Sequence, residues 1–212
     1  MRIVAFVPIK FQSERLHGKN FLPLKGKPLC RHIFETLLKS KIIDETYVYC
    51  SSEKIREYIP EEVIFKKRSE ILDKNETKGM DIYQAFVNEV NADWYVLAHA
   101  TSPFLKINSV DNALRKVFQE GYDSTFSVKQ VQTFCWYKGK PLNYKLDDVV
   151  RTQDIEPIYI ETSGFYIFPK KLIKQNRRIG DKPWMQEVDT VEAIDIDEEE
   201  DFIFAKEISE KL

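Results

Sequence analysis

Short runs of β-branched and aromatic residues recur along the chain, separated by stretches in which apolar residues return every three or four positions. Residues 2 to 8, 46 to 50, 62 to 66, 93 to 98, 124 to 129, 163 to 168 and 192 to 196 read as strands. Between them, Leu29, Ile33, Leu37 and Leu38 mark one helical face, and Ile107, Val110, Leu114, Val117 and Phe118 mark another. Residues 80 to 90 and 201 to 212 predict two further helices. Helices alternating with short strands over 212 residues predict one domain, residues 1 to 212, with a three-layer α/β fold. Its sheet is expected to be mostly parallel, doubly wound and Rossmann-like.

Residues 130 to 162 break this rhythm. They carry Gln130, Gln132, Cys135, Trp136, Tyr137, Tyr144, Tyr159 and Glu161 without clear periodicity. A long irregular insertion in a compact domain is usually a lid, a binding loop or an oligomer arm.

Composition narrows the function classes. Basic and acidic side chains nearly balance, 32 against 34, for a formal net charge of -2, so the overall field would not draw in nucleic acid. Any anion site must be local. Three widely spaced cysteines, Cys30, Cys50 and Cys135, form neither a disulfide framework nor a zinc pair, which fits a reducing cytoplasm. The first apolar run lacks the features of a signal peptide, and no stretch approaches the roughly 18 apolar residues of a membrane span. A soluble, cytoplasmic protein without a membrane partner is expected.

Four constellations carry candidate chemistry. Directly after the first strand, Lys10, Ser13, Arg15 and Lys19 concentrate donors in a loop that Gly18 lets turn and Asn20 ends with an amide. Convergent cations at the carboxyl edge of a sheet suit the spread-out charge of nucleotide phosphates, although a solvated basic loop would look the same. Near the other end, Asp195-Ile196-Asp197 follows Val191-Glu192-Ala193-Ile194. Alternation in a strand would put both carboxylates on one face, where they suit a hard cation such as Mg²⁺. The competing explanation, that acidic residues favour a helix N-terminus, accounts for residues 198 to 201 but poorly for Asp195.

The third constellation is His99-Ala100-Thr101-Ser102-Pro103, at the end of a buried-looking strand, where His99 is either a structural hydrogen-bonder or part of the same rim. In the fourth, Arg68 precedes a turn, Thr77-Lys78-Gly79, that opens a helix. On the residues alone, a surface loop with Thr77 capping the helix is the better reading there.

Taken in order, these segments resemble the cytidylyltransferases that activate acidic 2-keto sugars, above all the acylneuraminate (CMP-sialic acid) synthetases. The family's opening I-P-A-R-G-G-S-K-R-L-P-G-K-N lines up on Val7 to Asn20 without gaps, and its G-K-P-L on Gly26-Lys27-Pro28-Leu29. Its L-Q-P-T-S-P is similar to residues 98 to 103, its D-S-V-x-S-V to residues 123 to 128, and its D-I-D-x-x-x-D to Asp195 to Asp201. The late E-N-G-x-x-Y-I is similar to Glu161 to Ile167, with the glycine one position later.

The resemblance implies a CTP-dependent enzyme that transfers CMP to an acidic sugar with Mg²⁺ and releases pyrophosphate. It would place Lys10, Ser13, Arg15, Lys19 and Asn20 on the nucleotide, with Arg68, Thr77 and Gly79 facing cytosine. Asp195 and Asp197 would hold the metal, and Lys10, Lys19 and Asp197 would be the catalytic set. His99, in place of a glutamine, and Gln153, in the arm, would meet the acceptor sugar. Residues 130 to 162 would form the family's dimer arm, implying a homodimer. Phe11-Gln12 stands where the family has two glycines, Leu105 replaces an arginine, and Thr162-Ser163 replaces asparagine-glycine. The same chemistry on an octulosonic acid or a phosphonate, a sugar transferase of similar fold, and a non-catalytic nucleotide-binding homologue are the alternatives.

Overall fold

Alternation within the first apolar run sets the layers. In the computed structural model, which describes residues 1–11, 16 and 18–212, that run is strand β1 (Ile3–Pro8). Ile3, Ala5 and Val7 enter one core, whereas Val4 and Phe6 enter another on the opposite face. The remaining strands are β2 (Pro23–Leu24), β3 (Lys27–Pro28), β4 (Glu45–Cys50), β5 (Ile64–Lys67), β6 (Trp94–Ala98), β7 (Ser124–Val131), β8 (Trp136–Tyr137), β9 (Lys140–Pro141), β10 (Ile158–Pro169) and β11 (Pro183–Glu187). The α-helices are α1 (Leu29–Leu37), α2 (Gly79–Glu89), α3 (Ile107–Glu120), α4 (Lys170–Lys174) and α5 (Glu199–Ser209).

Seven strands form the central sheet in the order β11-β7-β10-β6-β1-β4-β5. Only β10 runs against its neighbours, β6 and β7; the other pairings are parallel. Helices α1 and α3 cover the Ile3 face through Ile33, Phe34, Val110 and Leu114, and α2 and α4 cover the other through Phe86, Val87, Leu172 and Ile173. The expected three-layer α/β architecture is present.

The second core is an aromatic cluster. Phe86 stacks on Phe6 with ring centroids 4.2 Å apart, and Tyr47, Tyr49 and Tyr95 meet Phe86 edge-on. Each such pair contributes about 0.5–1.5 kcal/mol beyond the area buried. Tyr95 keeps its hydroxyl satisfied, donating to the Val90 carbonyl at 2.8 Å and accepting from the Ala92 N–H at 2.9 Å, which ties the end of α2 to β6.

One expected strand is absent. Residues 192 to 196 form a turn and an extended stretch outside the sheet, and the edge position belongs to β11 instead. The Asp189 side chain accepts the N–H groups of Val191 and Glu192, both at 2.9 Å, and Ala193 and Ile194 bond back to Asp189 and Val191. This local turn outcompetes strand pairing. Glu192 then accepts the Lys106 N–H at 2.8 Å and the Ser109 hydroxyl at 3.1 Å, clipping the segment to the start of α3.

Residues 132 to 157 leave the sheet between β7 and β10 and carry the small β8–β9 hairpin. Phe134, Trp136, Tyr137, Leu142, Leu146 and Val149 are exposed there, and so are Tyr159 and Ile160 at the base.

Candidate active site

Pro8, at the end of β1, Arg68, just after β5, and His99, just after β6, open onto one cavity of about 420 Å³. This is the carboxyl edge of the parallel strands, where open α/β sheets bind ligands. Lys10, Lys19, Asn20, Thr77, Gly79, Tyr83 and Thr101 complete its wall. Of the nucleotide-side candidates, Lys10, Lys19, Asn20, Arg68, Thr77 and Gly79 therefore come together. Ser13 and Arg15 lie outside the described residues.

The basic loop ends in a tight turn. Gly18 adopts a left-handed conformation at φ 65°, which suits a residue without Cβ, and Lys19–Phe21 follow as one 3₁₀ turn. Asn20 is buried and gives its side-chain N–H to the Lys10 carbonyl at 3.2 Å, so at least one amide proton serves the loop itself. The Lys10 ammonium donates to Asn75 at 2.9 Å across the cavity. Lys19, only 8 % exposed, points its ammonium at the Ile196 carbonyl and at Asp197 Oδ1, each at 2.9 Å.

Ile196 is fully buried against Leu24, Leu29 and Ala205, so the aspartates on either side of it face away from that core. The segment is not a strand, so strand alternation does not set the facing of the pair, although the charge of Asp197 acts on Asp195. A backbone bond from Ile196 N–H to the Thr101 carbonyl, 2.9 Å, lashes the segment to the loop after β6, and the Thr101 hydroxyl bonds Asp195. Burial holds the Asp195 carboxyl above the usual carboxylate range, against the opposing pull of the Thr101 bond. Its Oδ1 is buried with no hydrogen-bond partner among the described residues. A buried carboxylate oxygen with unused lone pairs beside a second carboxylate is a donor set that fits a hard divalent cation, which needs only one or two protein carboxylates.

Arg68 is 1 % exposed and ion-paired to Asp73, while its Nε has no hydrogen-bond partner among the described residues. Thr77 does not cap α2. The Asp81 carboxylate does so by accepting the Lys78 N–H at 3.1 Å, and the Thr77 hydroxyl donates to the Ile71 carbonyl at 3.5 Å. Gly79 opens the helix under Tyr83, where a Cβ would lie 2.9 Å from the phenol oxygen.

His99 is held by an irregularity in β10. Pairing between β10 and β7 shifts register between Glu161 and Tyr166, and Ser163 sits at φ 59°. Ser127 staples this bulge, its Oγ accepting from Thr162 Oγ1 at 2.7 Å and from the Phe165 N–H at 3.1 Å. The Ser163 carbonyl so placed accepts from His99 Nδ1. A carbonyl can only accept, so Nδ1 carries the proton and Nε2 keeps its lone pair, 3.4 Å from the Tyr83 hydroxyl. Burial holds His99 below the usual histidine range, which keeps the ring neutral. Two departures from the family pattern, the histidine and the displaced glycine, are thus one local structure.

Gln153 does not reach the cavity; it is exposed on a 3₁₀ turn of the excursion, its carbonyl accepting from Gln132 at 2.8 Å. Leu105, where the family carries arginine, is buried in the core beside α3. Sequence reasoning missed Tyr83 and Asn75. Tyr83 sits one helical turn after Gly79 on the same face, and Asn75 falls between Arg68 and Thr77, so spacing from residues already singled out could have found both.

A family model described as "Cytidylyltransferase" matches residues 4–211. N-acylneuraminate cytidylyltransferase A of Danio rerio is 26 % identical over 97 % of this chain and 50 % of its own length. The 3-deoxy-manno-octulosonate cytidylyltransferase of Christiangramia forsetii is 30 % identical over 57 % of this chain and 47 % of its own. The chain spans about half the length of the curated relatives it matches. Among solved structures, CMP:2-keto-3-deoxy-manno-octonic acid synthetase complexed with CTP superposes over 100 % of both chains with a TM-score of 0.72 at 13 % identity, a likeness of fold.

Proposed function

The chain belongs to the cytidylyltransferase family, and from that premise we propose that it transfers CMP from CTP to an acidic 2-keto sugar of the sialic acid type, releasing pyrophosphate. The observation that carries this reading is the convergence, at one strand edge, of Lys19, the Asp195–Asp197 pair and the Thr101 loop, three segments far apart in sequence. The acceptor hydroxyl oxygen forms a new bond to the α-phosphorus as the bond from that phosphorus to the oxygen bridging to the β-phosphate breaks, and the hydroxyl proton is lost to solvent. Lys10 and Lys19 hold the triphosphate and stabilise the charge that develops on the departing pyrophosphate. Arg68, whose Nε lacks a partner among the described residues, and the Thr77–Gly79 turn face cytosine. The neutral His99 presents Nε2 as an acceptor to the incoming sugar. Asp195 and Asp197 would hold Mg²⁺, which when bound supplies charge neutralisation at the phosphates and acidifies the attacking hydroxyl.

Pyrophosphate release from CTP and Mg²⁺ tests the reaction, with N-acetylneuraminate, 3-deoxy-manno-octulosonate and a neutral aldose as acceptors. Turnover is expected with N-acetylneuraminate and absent with the aldose. CTP binding without turnover on any acid would overturn the reading in favour of a nucleotide-binding protein.

Residues 130 to 162 act in this proposal as a homodimer arm, supported by the row of exposed apolar side chains from Phe134 to Val149. Across a dimer, Gln153 would meet the neighbouring cavity. Light scattering at micromolar concentration is expected to give twice the chain mass; a monomer would sink the arm assignment. Three unpaired cysteines support a cytoplasmic setting, and no helix among the described residues is long and apolar enough to cross a membrane.

A further inference from the structure

The cations lining the cavity, Lys10, Lys19, Arg68 and Lys74, all belong to its nucleotide side. On the other side, around His99, Ala100 and Thr101, the described lining residues include no Lys or Arg to meet an incoming carboxylate. One guanidinium lies just beyond. Arg178 follows α4 and holds its guanidinium carbon over the Tyr166 ring, 3.8 Å from the centroid. The same ring meets His99 edge-on with centroids 6.2 Å apart, and the charge of Arg178 is felt at both His99 and Tyr83. Its ion pair is with Glu161, Nη2 to Oε2 at 3.3 Å, and the Tyr166 hydroxyl donates to the same oxygen at 2.6 Å.

We propose that Arg178 is the receptor for the carboxylate of the acidic acceptor, held flat by Tyr166 and exchanging Glu161 for the substrate. The inference rests on the cytidylyl-transfer reading above. Stacking fixes the guanidinium plane, which removes much of the entropy lost when a bidentate carboxylate pair forms. Glu161 and the Tyr83 hydroxyl engage part of the five-donor fork, leaving its other N–H groups for a second carboxylate. The present pair is weak enough to exchange, with side chains 33 % and 45 % exposed, in the class of surface ion pairs that contribute little. The site would therefore select an acid by trading a solvated carboxylate for one carried by the substrate beside His99.

Steady-state kinetics on the full chain test this with N-acetylneuraminate and its methyl ester, with CTP varied separately. In Arg178→Ala the KM for the acid is expected to rise roughly 10- to 100-fold, the effect of losing a hydrogen-bonded charge partner. The KM for CTP and the KM for the ester should stay as in the wild type. Arg178→Lys, which keeps charge but loses the stacked fork, should fall between. An unchanged KM for the acid, or a rise in the KM for CTP instead, overturns the role of Arg178 while the reaction itself stands. A wild type inactive on every acid overturns the underlying reading, and this inference with it. Far-UV circular dichroism and a thermal melt, run on each variant, separate loss of fold from loss of binding; Arg178 is exposed enough that both variants should melt with the wild type.

Discussion

Lys19→Met is expected to lower kcat for pyrophosphate release by roughly 10²–10³-fold, the range seen when one preorganised donor to developing charge is removed. Methionine keeps the length and apolar stem of the side chain and deletes only the ammonium, so packing around this nearly buried position survives. The ammonium is fixed by the Ile196 carbonyl and Asp197 Oδ1, and a fixed charge needs no reorganisation as charge builds on the leaving group. Asp197 is 38 % exposed and stays within reach of water, so the cost to folding should be well below that of breaking a fully buried pair. The measurement is kcat at saturating substrates beside a thermal melt. A variant that keeps wild-type kcat would remove Lys19 from the catalytic set.

Asp195→Asn is expected to separate activity from stability. Burial raises the Asp195 carboxyl pKa, so the folded protein binds that proton more tightly than the unfolded chain does. At neutral pH the group is ionised in both states, and ionisation in the folded state carries a cost that an amide does not. Without metal, the variant should melt at or above the wild-type temperature, and the gain should vanish as the pH falls into the carboxylate range. Mg²⁺ should raise the wild-type melting temperature and leave the variant where it is, because a ligand stabilises only the state that binds it. Turnover should fall by about two orders of magnitude or more, as expected when a carboxylate that holds a catalytic cation is neutralised. A variant that Mg²⁺ still stabilises as strongly as the wild type would show that the cation sits elsewhere.

Much of this was legible in the order of residues. The core strands β1, β4 and β6 are continuous apolar runs, because a parallel strand covered on both faces has no polar side to show. Lys19, Arg68 and His99 were found because each directly follows a strand or ends the loop that does. The failures have physical causes too. Strand β11 begins with proline at a sheet edge and alternates weakly, with Met185 exposed, so it carries little strand signal. Residues 192 to 196 alternate well but are captured by the Asp189 turn, a side-chain interaction that periodicity does not register. Arg178 sits in a polar stretch after a short helix, and only the ring of Tyr166 beneath it gives it meaning.

The bond between Lys19 and Asp197 spans 178 positions, and the clip of Glu192 onto α3 comes from the same late segment. Ribosomes deliver the chain from its amino end, so strands β1, β4, β5 and β6 can pair while residues beyond 190 are still inside the exit tunnel. The cavity floor thus exists before its acidic wall does. Docking of Ile196 against Leu24 and Leu29 is the event that brings Asp197 to Lys19 and closes the cavity. Birth order therefore makes completion of the cavity a late step in folding, in a chain whose sheet is formed largely without it.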